Sequence, residues 1–360
     1  MGSYKSAKTL VTDLATKKIS SVELLEATIA RIEKFDEKIN AVVVRDFERA
    51  REAAKTADAA ISRGERRPLL GVPITVEESF NVAGLITSWG NSTDKDYRLK
   101  SDALTVTRLK EAGAIIIGKT NVPLMLKDWQ TYNDIYGTTN NPWNLDLTPG
   151  GSSGGAAAAL AADFTALELG SDMAGSLRVP AHCCGVYAHR ASLNLIPMRG
   201  AEPPGLPASP ERINDFAVAG PMARTAEDLE LALSILAGPD ELLEGKGYRL
   251  SLPPARHQKL SDFRVLLIDS HPLCPLSDKV KHTIENFATQ LEKLGVAIFR
   301  DEKNIPDLKK ITQNYATLFT SFAAETMSLE SYQKLEAMVN TFPKSDDSII
   351  ANLRRGFVLS

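Results

Sequence analysis

The chain has 360 residues, of which 43% are hydrophobic, enough for a substantial core and for one large domain or two ordinary ones. Its 42 basic and 45 acidic residues leave a net charge of −3, without the basic excess that a nucleic-acid binder needs. No apolar run reaches the length of a bilayer span, the N-terminus lacks a signal-peptide pattern, and Cys183, Cys184 and Cys274 form neither a disulfide framework nor a metal-ligand spacing. The expectation is a soluble protein of the cytoplasmic type, with no membrane partner.

Residues 4 to 62 predict a helical packing layer. Ser20-Ser21-Val22-Glu23 is a capping box, and Leu25, Ile29, Ile32 and Phe35 follow it at helical spacing. Ala41 to Val44 predicts a short buried strand. Phe47, Ala50, Ala54 and Ala57 then mark another amphipathic helix that ends near Gly64. From 68 to 126 strand and helix alternate. Leu69 to Val76 is a strand running into Glu77, Ala103 to Ala112 is a helix, and Ala114 to Ile117 is an apolar strand with Gly118 as its terminator. This alternation predicts an α/β architecture with a largely internal sheet.

The chemistry is concentrated between Leu147 and Pro180. Thr148-Pro149-Gly150-Gly151-Ser152-Ser153-Gly154-Gly155 leads into the alanine run Ala156 to Ala162, which predicts a helix opened by the Gly/Ser loop. An extended segment, Thr165 to Gly170, precedes Ser171-Asp172-Met173-Ala174-Gly175-Ser176-Leu177-Arg178-Val179-Pro180. Four glycines around two serines allow torsions that residues with a Cβ avoid. Hydroxyls on two small-residue loops suit a place where backbone donors meet a developing oxyanion. Gly151 to Gly155 formally fits a G-x-S-x-G elbow centred on Ser153, but that motif needs a preceding strand, and Asn141-Pro142-Trp143-Asn144 with Pro149 reads as turn and coil. A phosphate loop lacks its Gly-Lys-Ser/Thr ending, and a glycine-rich turn that only allows close packing is the third reading.

Further on, Ala201 to Asn214, with Pro203, Pro204, Pro207 and Pro210, predicts an ordered loop near a pocket mouth. Thr225 to Leu236 is a helix capped by Thr225, and Gly238 to His257 is a polar linker. Phe263 to Asp269, Ser277 to Leu294 and Val296 to Phe299 predict a β-α-β unit. Helix follows from Pro306, with Leu318, Phe322, Met327 and Leu329 as apolar anchors.

Several segments occur together in one order: Gly71-Val72-Pro73-Ile74, Gly118-Lys119-Thr120-Asn121-Val122-Pro123, Tyr136-Gly137-Thr138-Thr139-Asn140-Asn141-Pro142, the Gly/Ser loop, Ser171 to Pro180, and Ala217 to Met222. With these the chain resembles the amidase signature family of serine hydrolases, which cleave C–N bonds with a Ser–Ser–Lys triad. The resemblance implies an amidase-signature α/β/α fold, a mixed sheet flanked by helices. It implies one domain over 1-360, with a helical N-terminal layer at 1-65, a catalytic core at 66-240 and an incomplete C-terminal part at 241-360. Relatives continue beyond this point with the last strands of the sheet, so an unpaired sheet edge or an uncovered apolar patch, either of which invites a partner or aggregation, is expected.

By the same resemblance, Ser176 is the acyl-forming nucleophile and Ser152 the bridging serine, usually preceded by a cis peptide. The N–H groups of Met173, Ala174, Gly175 and Ser176 form the oxyanion hole, with Ser153, Asp172 and Arg178 in support. Trp89 and Trp129 lie near segments bordering the substrate and are read either as an acyl-pocket wall or as core. Tyr187-Ala188-His189-Arg190-Ala191-Ser192 departs from the family's G-H-K-P-S/T, and neither His182 nor His189 is expected to act. Lys119 belongs to a different motif from the catalytic lysine. That lysine ends a G-V-P-x-x-V-K stretch, and this chain reads Gly71-Val72-Pro73-Ile74-Thr75-Val76-Glu77. A carboxylate, with a reference pKa near 4.3, is a weaker base than a buried neutral lysine unless burial raises it, and it reaches less far toward Ser152.

Two readings stay open at Glu77, an impaired amidase and a silent, amidase-like binder of an amide or a partner protein. A glutaminase subunit of a tRNA-dependent amidotransferase is a third use of the scaffold. No cofactor and no metal are expected, no nucleic acid, and as partners a small-molecule amide and, optionally, a second copy of the chain.

Overall fold

Three helices open the chain: α1 (Ala7–Ala15), α2 (Ser21–Ile39) and, after strand β1 (Val42–Arg45), α3 (Phe47–Ser62). The capping box is complete, with Ser20 Oγ accepting from Glu23 N–H and Glu23 accepting from Ser20 N–H. Phe35, read as part of the apolar face of α2, is instead 40% exposed, with Arg31 and Lys34 over its ring at 5.1 and 5.2 Å. The computed structural model describes residues 5–206, 215–242, 250–300, 303, 305–324, 327–341, 343 and 345–359. They fall into two compact units, Met1–Ser251 and Leu252–Ser360.

In the first unit the chain continues through β2 (Pro73–Glu77), α4 (Leu104–Glu111), β3 (Ile115–Thr120), a small hairpin of β4 (Tyr132–Asn133) and β5 (Gly137–Thr138), and α5 (Gly154–Ala161). It closes with β6 (Leu167–Asp172), α6 (Arg178–Cys184), β7 (Tyr187–Ala188), β8 (Val218–Ala223) and α7 (Ala226–Leu236). Six strands form one mixed sheet in the order β1-β3-β2-β6-β8-β7, parallel across β3-β2-β6 and antiparallel elsewhere. Every residue of β2, β3, β6 and β8 is buried, as expected of strands covered on both faces. The edges of this sheet are β1 and the two-residue β7.

Helix α5 is buried along its whole length, which fits a segment that is alanine, glycine and leucine on all sides. Thr225 Oγ1 caps α7 through Asp228 N–H, as read from the sequence. The strand expected from Leu69 begins only at Pro73, because Leu69 to Val72 make a turn with Gly71 at φ +84. Gly118 does not terminate β3. It lies inside the strand, at a place where a Cβ would run into the carbonyl oxygen of Val44 on β1.

The second unit carries β9 (Arg264–Leu266), α8 (Asp278–Lys293) and β10 (Ala297–Phe299), with β9 and β10 parallel, so the expected β-α-β unit is present. Helices α9 (Leu308–Ala324), α10 (Leu329–Val339) and α11 (Ile349–Gly356) follow. Leu318 and Leu329, expected as apolar anchors, are 58% and 72% exposed; among the described residues of α9, Ala316 and Thr320 are buried. The expected polar linker and proline-rich loop fall partly on residues 243–249 and 207–214, which lie outside the described residues.

Because a side chain at 118 would press β1 away from β3, Gly118→Ala is expected to cost about 1–3 kcal/mol, read as a lower urea midpoint with an unchanged m-value.

Candidate active site

Three parallel strands end at the same edge of the sheet, and in such sheets the region beyond the carboxyl ends is where ligands collect. Glu77 is the last residue of β2, and the register pairs Thr75 with Glu168 and Val76 with Leu169, which brings Glu77 level with Gly170 and Ser171. Its side chain is fully buried and surrounded by donors. Ser153 Oγ donates to Oε2 at 2.7 Å, Ser171 N–H to Oε2 at 2.8 Å, and the Ser171 and Ser79 hydroxyls to Oε1 at 3.1 Å each. Gly170 makes this approach possible, since a Cβ there would lie 2.7 Å from Ser153 Oγ and 3.1 Å from Glu77 Oε2. Ser153 occupies the N-cap position of α5, yet its hydroxyl makes no cap bond and serves Glu77 instead.

Of the two serines in the Gly/Ser loop, the one that meets Glu77 is therefore Ser153. The Gly151–Ser152 peptide is cis, where the resemblance places one, but Ser152 Oγ is buried with no hydrogen-bond partner among the described residues. Burial pushes the Glu77 carboxyl up to about 7 against the lowering effect of the hydrogen bonds from Ser153, Ser171 and Ser79. Glu168, buried one strand over, is raised well above the usual carboxylate range, first by burial and then by the charge of Glu77, while bonds from Thr75 and Thr165 oppose the shift. Lys119 stays apart from the serines. Its ammonium donates to Ile86 O and, at 2.8 Å, to Thr87 Oγ1, and burial lowers it to about 8.

Asp172, the last residue of β6, organises the loop that carries Ser176. It accepts from Gly175 N–H at 2.9 Å and Leu177 N–H at 3.1 Å, from Arg178 at 2.9 and 3.1 Å, and from Arg190 at 3.3 Å. Burial raises its pKa, but the bonds from Arg178, Leu177 and Gly175 outweigh it and leave the carboxyl below its usual range. Gly175 sits at φ +115, a conformation that favours glycine. Its N–H, expected among the oxyanion donors, is engaged by Asp172, whereas the N–H groups of Ala174 and Ser176 bond no described residue. Ser176 is 7% exposed, and its hydroxyl is likewise without a hydrogen bond to any described residue.

Trp129 stands beside this loop, with its indole nitrogen 3.7 Å from where a Gly175 Cβ would be, and is 57% exposed, so it is not core. Trp89 lies at the other side of Glu77, where its indole donates to Ser79 O at 3.1 Å. No hydrogen bond joins His182 or His189 to Ser176 among the described residues. Sequence reasoning missed Ser79, Ser171, Gly170, Glu168 and Arg190. Ser171 and Gly170 are set by the pairing of β2 with β6, which no local pattern reveals; Ser79 is only two residues from Glu77, and Arg190 lies 18 residues from the carboxylate it reaches.

A serine loop at the mouth of a buried helix thus meets a second serine loop at the ends of parallel strands, where Ser153 N–H bonds Ser176 O at 3.1 Å. The profile of the family described as Amidase matches residues 23–356, and the chain belongs to that family. Fatty-acid amide hydrolase 2-A of Danio rerio is 36% identical over 327 residues, covering 88% of this chain and 59% of the relative. A glutamyl-tRNA(Gln) amidotransferase polypeptide of Carboxydothermus hydrogenoformans is 36% identical over 313 residues, covering 85% and 62%. Among solved structures, one titled fatty acid amide hydrolase superposes with a TM-score of 0.78 at 26% identity, over 89% of this chain and 55% of that one. The chain thus spans about three-fifths of the length of these curated relatives. Among the described residues no helix is long and apolar enough to cross a membrane.

The Glu77 proton is held up to about pH 7 in the folded chain and is released around the ordinary value of 4.5 in an unfolded one, so the folded state binds more protons in that window and stability falls as pH rises through it. Urea unfolding of wild type and Glu77→Gln at pH 4.5 and 7.5 is expected to show wild type losing about 3 kcal/mol more than the variant between the two. Equal losses would mean that Glu77 titrates normally.

Proposed function

We propose that the chain is an amidase-type hydrolase in which the proton relay is interrupted at position 77, so that it binds amides and turns them over slowly. In this reading Ser176 Oγ attacks the amide carbonyl carbon and forms the C–O bond of a tetrahedral intermediate. Its proton passes to Ser152 Oγ, and Ser152's own proton goes on to the amide nitrogen as the C–N bond breaks, with no base to hold it in between. Backbone N–H groups of the Met173 to Ser176 loop, those of Ala174 and Ser176 foremost, hold the oxyanion. Collapse breaks the C–N bond and returns a proton to the leaving nitrogen, and water then attacks the acyl-serine and releases the carboxylic acid. Asp172 with Arg178 and Arg190 keeps the loop in shape, and Trp129 offers an aromatic face to the acyl group.

The observation that carries the reading is the unpartnered Ser152 hydroxyl, together with a Glu77 carboxyl already taken by Ser153, Ser171 and Ser79. Basicity is not the obstacle, since a group near 7 suits general-base work at neutral pH. Geometry is, because the carboxylate addresses the wrong serine. The same observation favours the second reading, a silent amide binder. The glutaminase-subunit reading is supported by similarity to the Carboxydothermus protein and is tested by whether a second polypeptide co-purifies.

Hydrolysis of a panel of aryl and primary amides by wild type, Glu77→Lys and Ser176→Ala decides between them. A gain of about 100-fold or more in Glu77→Lys, abolished when Ser176→Ala is added, is the expected result. If both forms are inert yet bind the amides, the chain is a binder. A fast wild type would sink the interrupted-relay account and assign the base to Glu77 through Ser153.

A further inference from the structure

At the other end of the same strands lies a groove of about 350 Å³, walled by Ala53 and Ala57 of α3, by Leu70 before β2, by Val82 and by Ile116 at the start of β3. Strands β2 and β3 run away from it toward Glu77 and Thr120, so it is separate from the serine loops. Leu70, Val82, Ala57 and Ile116 are all buried and give it an apolar wall.

Three cations also line the groove, Arg49, Arg67 and Lys110, against one carboxylate, Asp46. Two of them are neutralised by the protein. Arg49 pairs with Asp46 at 2.6 Å and donates to Ala83 O at 2.8 Å, and Lys110 sits 2.8 Å from both oxygens of Asp102. Arg67 is different. Its guanidinium makes no hydrogen bond or ion pair with any described residue, and its Nε is buried without an acceptor. Arg67 is half-buried, but a guanidinium N–H that is itself buried without an acceptor is costly, and an anionic acceptor in the groove removes that cost. One uncompensated guanidinium calls for one negative charge, its planar fork matches a carboxylate, and the volume is that of a small-ligand site.

We propose that this groove is a binding site for a small monocarboxylate with an apolar body, its carboxylate on Arg67 and its body against Leu70, Val82 and Ile116. The assignment is independent of the reaction at Ser176. Calorimetric titration of the full chain with phenylacetate, 2-phenylethanol and inorganic phosphate tests it, using wild type, Arg67→Gln, Arg67→Lys and Ala53→Trp. Ala53 is on the exposed face of α3, so that variant fills the groove mouth without disturbing the core and serves even where Arg67→Gln lowers stability. Saturable binding of phenylacetate is expected in wild type, weakened about tenfold or more in Arg67→Gln and Ala53→Trp and less in Arg67→Lys. The idea is overturned if phenylacetate fails to saturate, or if its affinity stays within about twofold in both Arg67→Gln and Ala53→Trp. It is equally overturned if 2-phenylethanol matches phenylacetate, which removes the need for charge, or if phosphate does, which removes the need for an apolar wall.

Discussion

Everything at the site depends on four donors converging on one carboxyl group. Glu77 is fully buried, and a carboxylate there without partners would be prohibitive, so Ser153, Ser171 and Ser79 determine whether the position can hold an acid at all. Satisfying it binds three chain segments together: the end of β2, the end of β6 and the start of α5. In the proposed function the cost falls on catalysis, because Ser153 and not Ser152 supplies the short contact. Stability and chemistry are thus set against each other at a single side chain.

The electrostatics sharpen this picture. A carboxyl raised to about 7 shares its proton between ionised and neutral forms near neutral pH, and burial moves the neighbouring Glu168 in the same direction. Asp172, only two residues past Gly170 on the same strand, is driven the other way by Arg178 and by two backbone N–H groups. Acids on adjacent strands with opposite shifts show how strongly local donors, as opposed to depth alone, decide ionisation.

Much of this was legible in the sequence where the determinants are local. The Ser20 capping box, the Thr225 cap, the alanine helix after the Gly/Ser loop and the β-α-β unit each follow from residues a few positions apart. The family segments likewise pointed to Ser176, Ser152 and Glu77, and the structure sets the two serine loops and the Glu77 strand at one edge of the sheet. What the sequence could not show is which serine the carboxylate would choose, since that rests on the register of β2 against β6 across more than 90 residues. Gly118 misled for the same reason. It looks like a strand end, and its purpose is the close approach of a distant strand. Burial moved Glu77 up to about 7, the exception that the sequence reading of a buried carboxyl allowed for.

The total burial of α5 has a consequence for motion. A helix with no solvent face has no low-energy way to fray locally, so its amide hydrogens exchange only when the surrounding unit opens as a whole. Ser152 and Ser153 sit at the head of that helix and are fixed to it by Ala157 N–H bonding Ser153 O. Their positions are therefore held with the cooperativity of the entire first unit, and disorder at this loop would be a sign of global unfolding and not of a mobile active site.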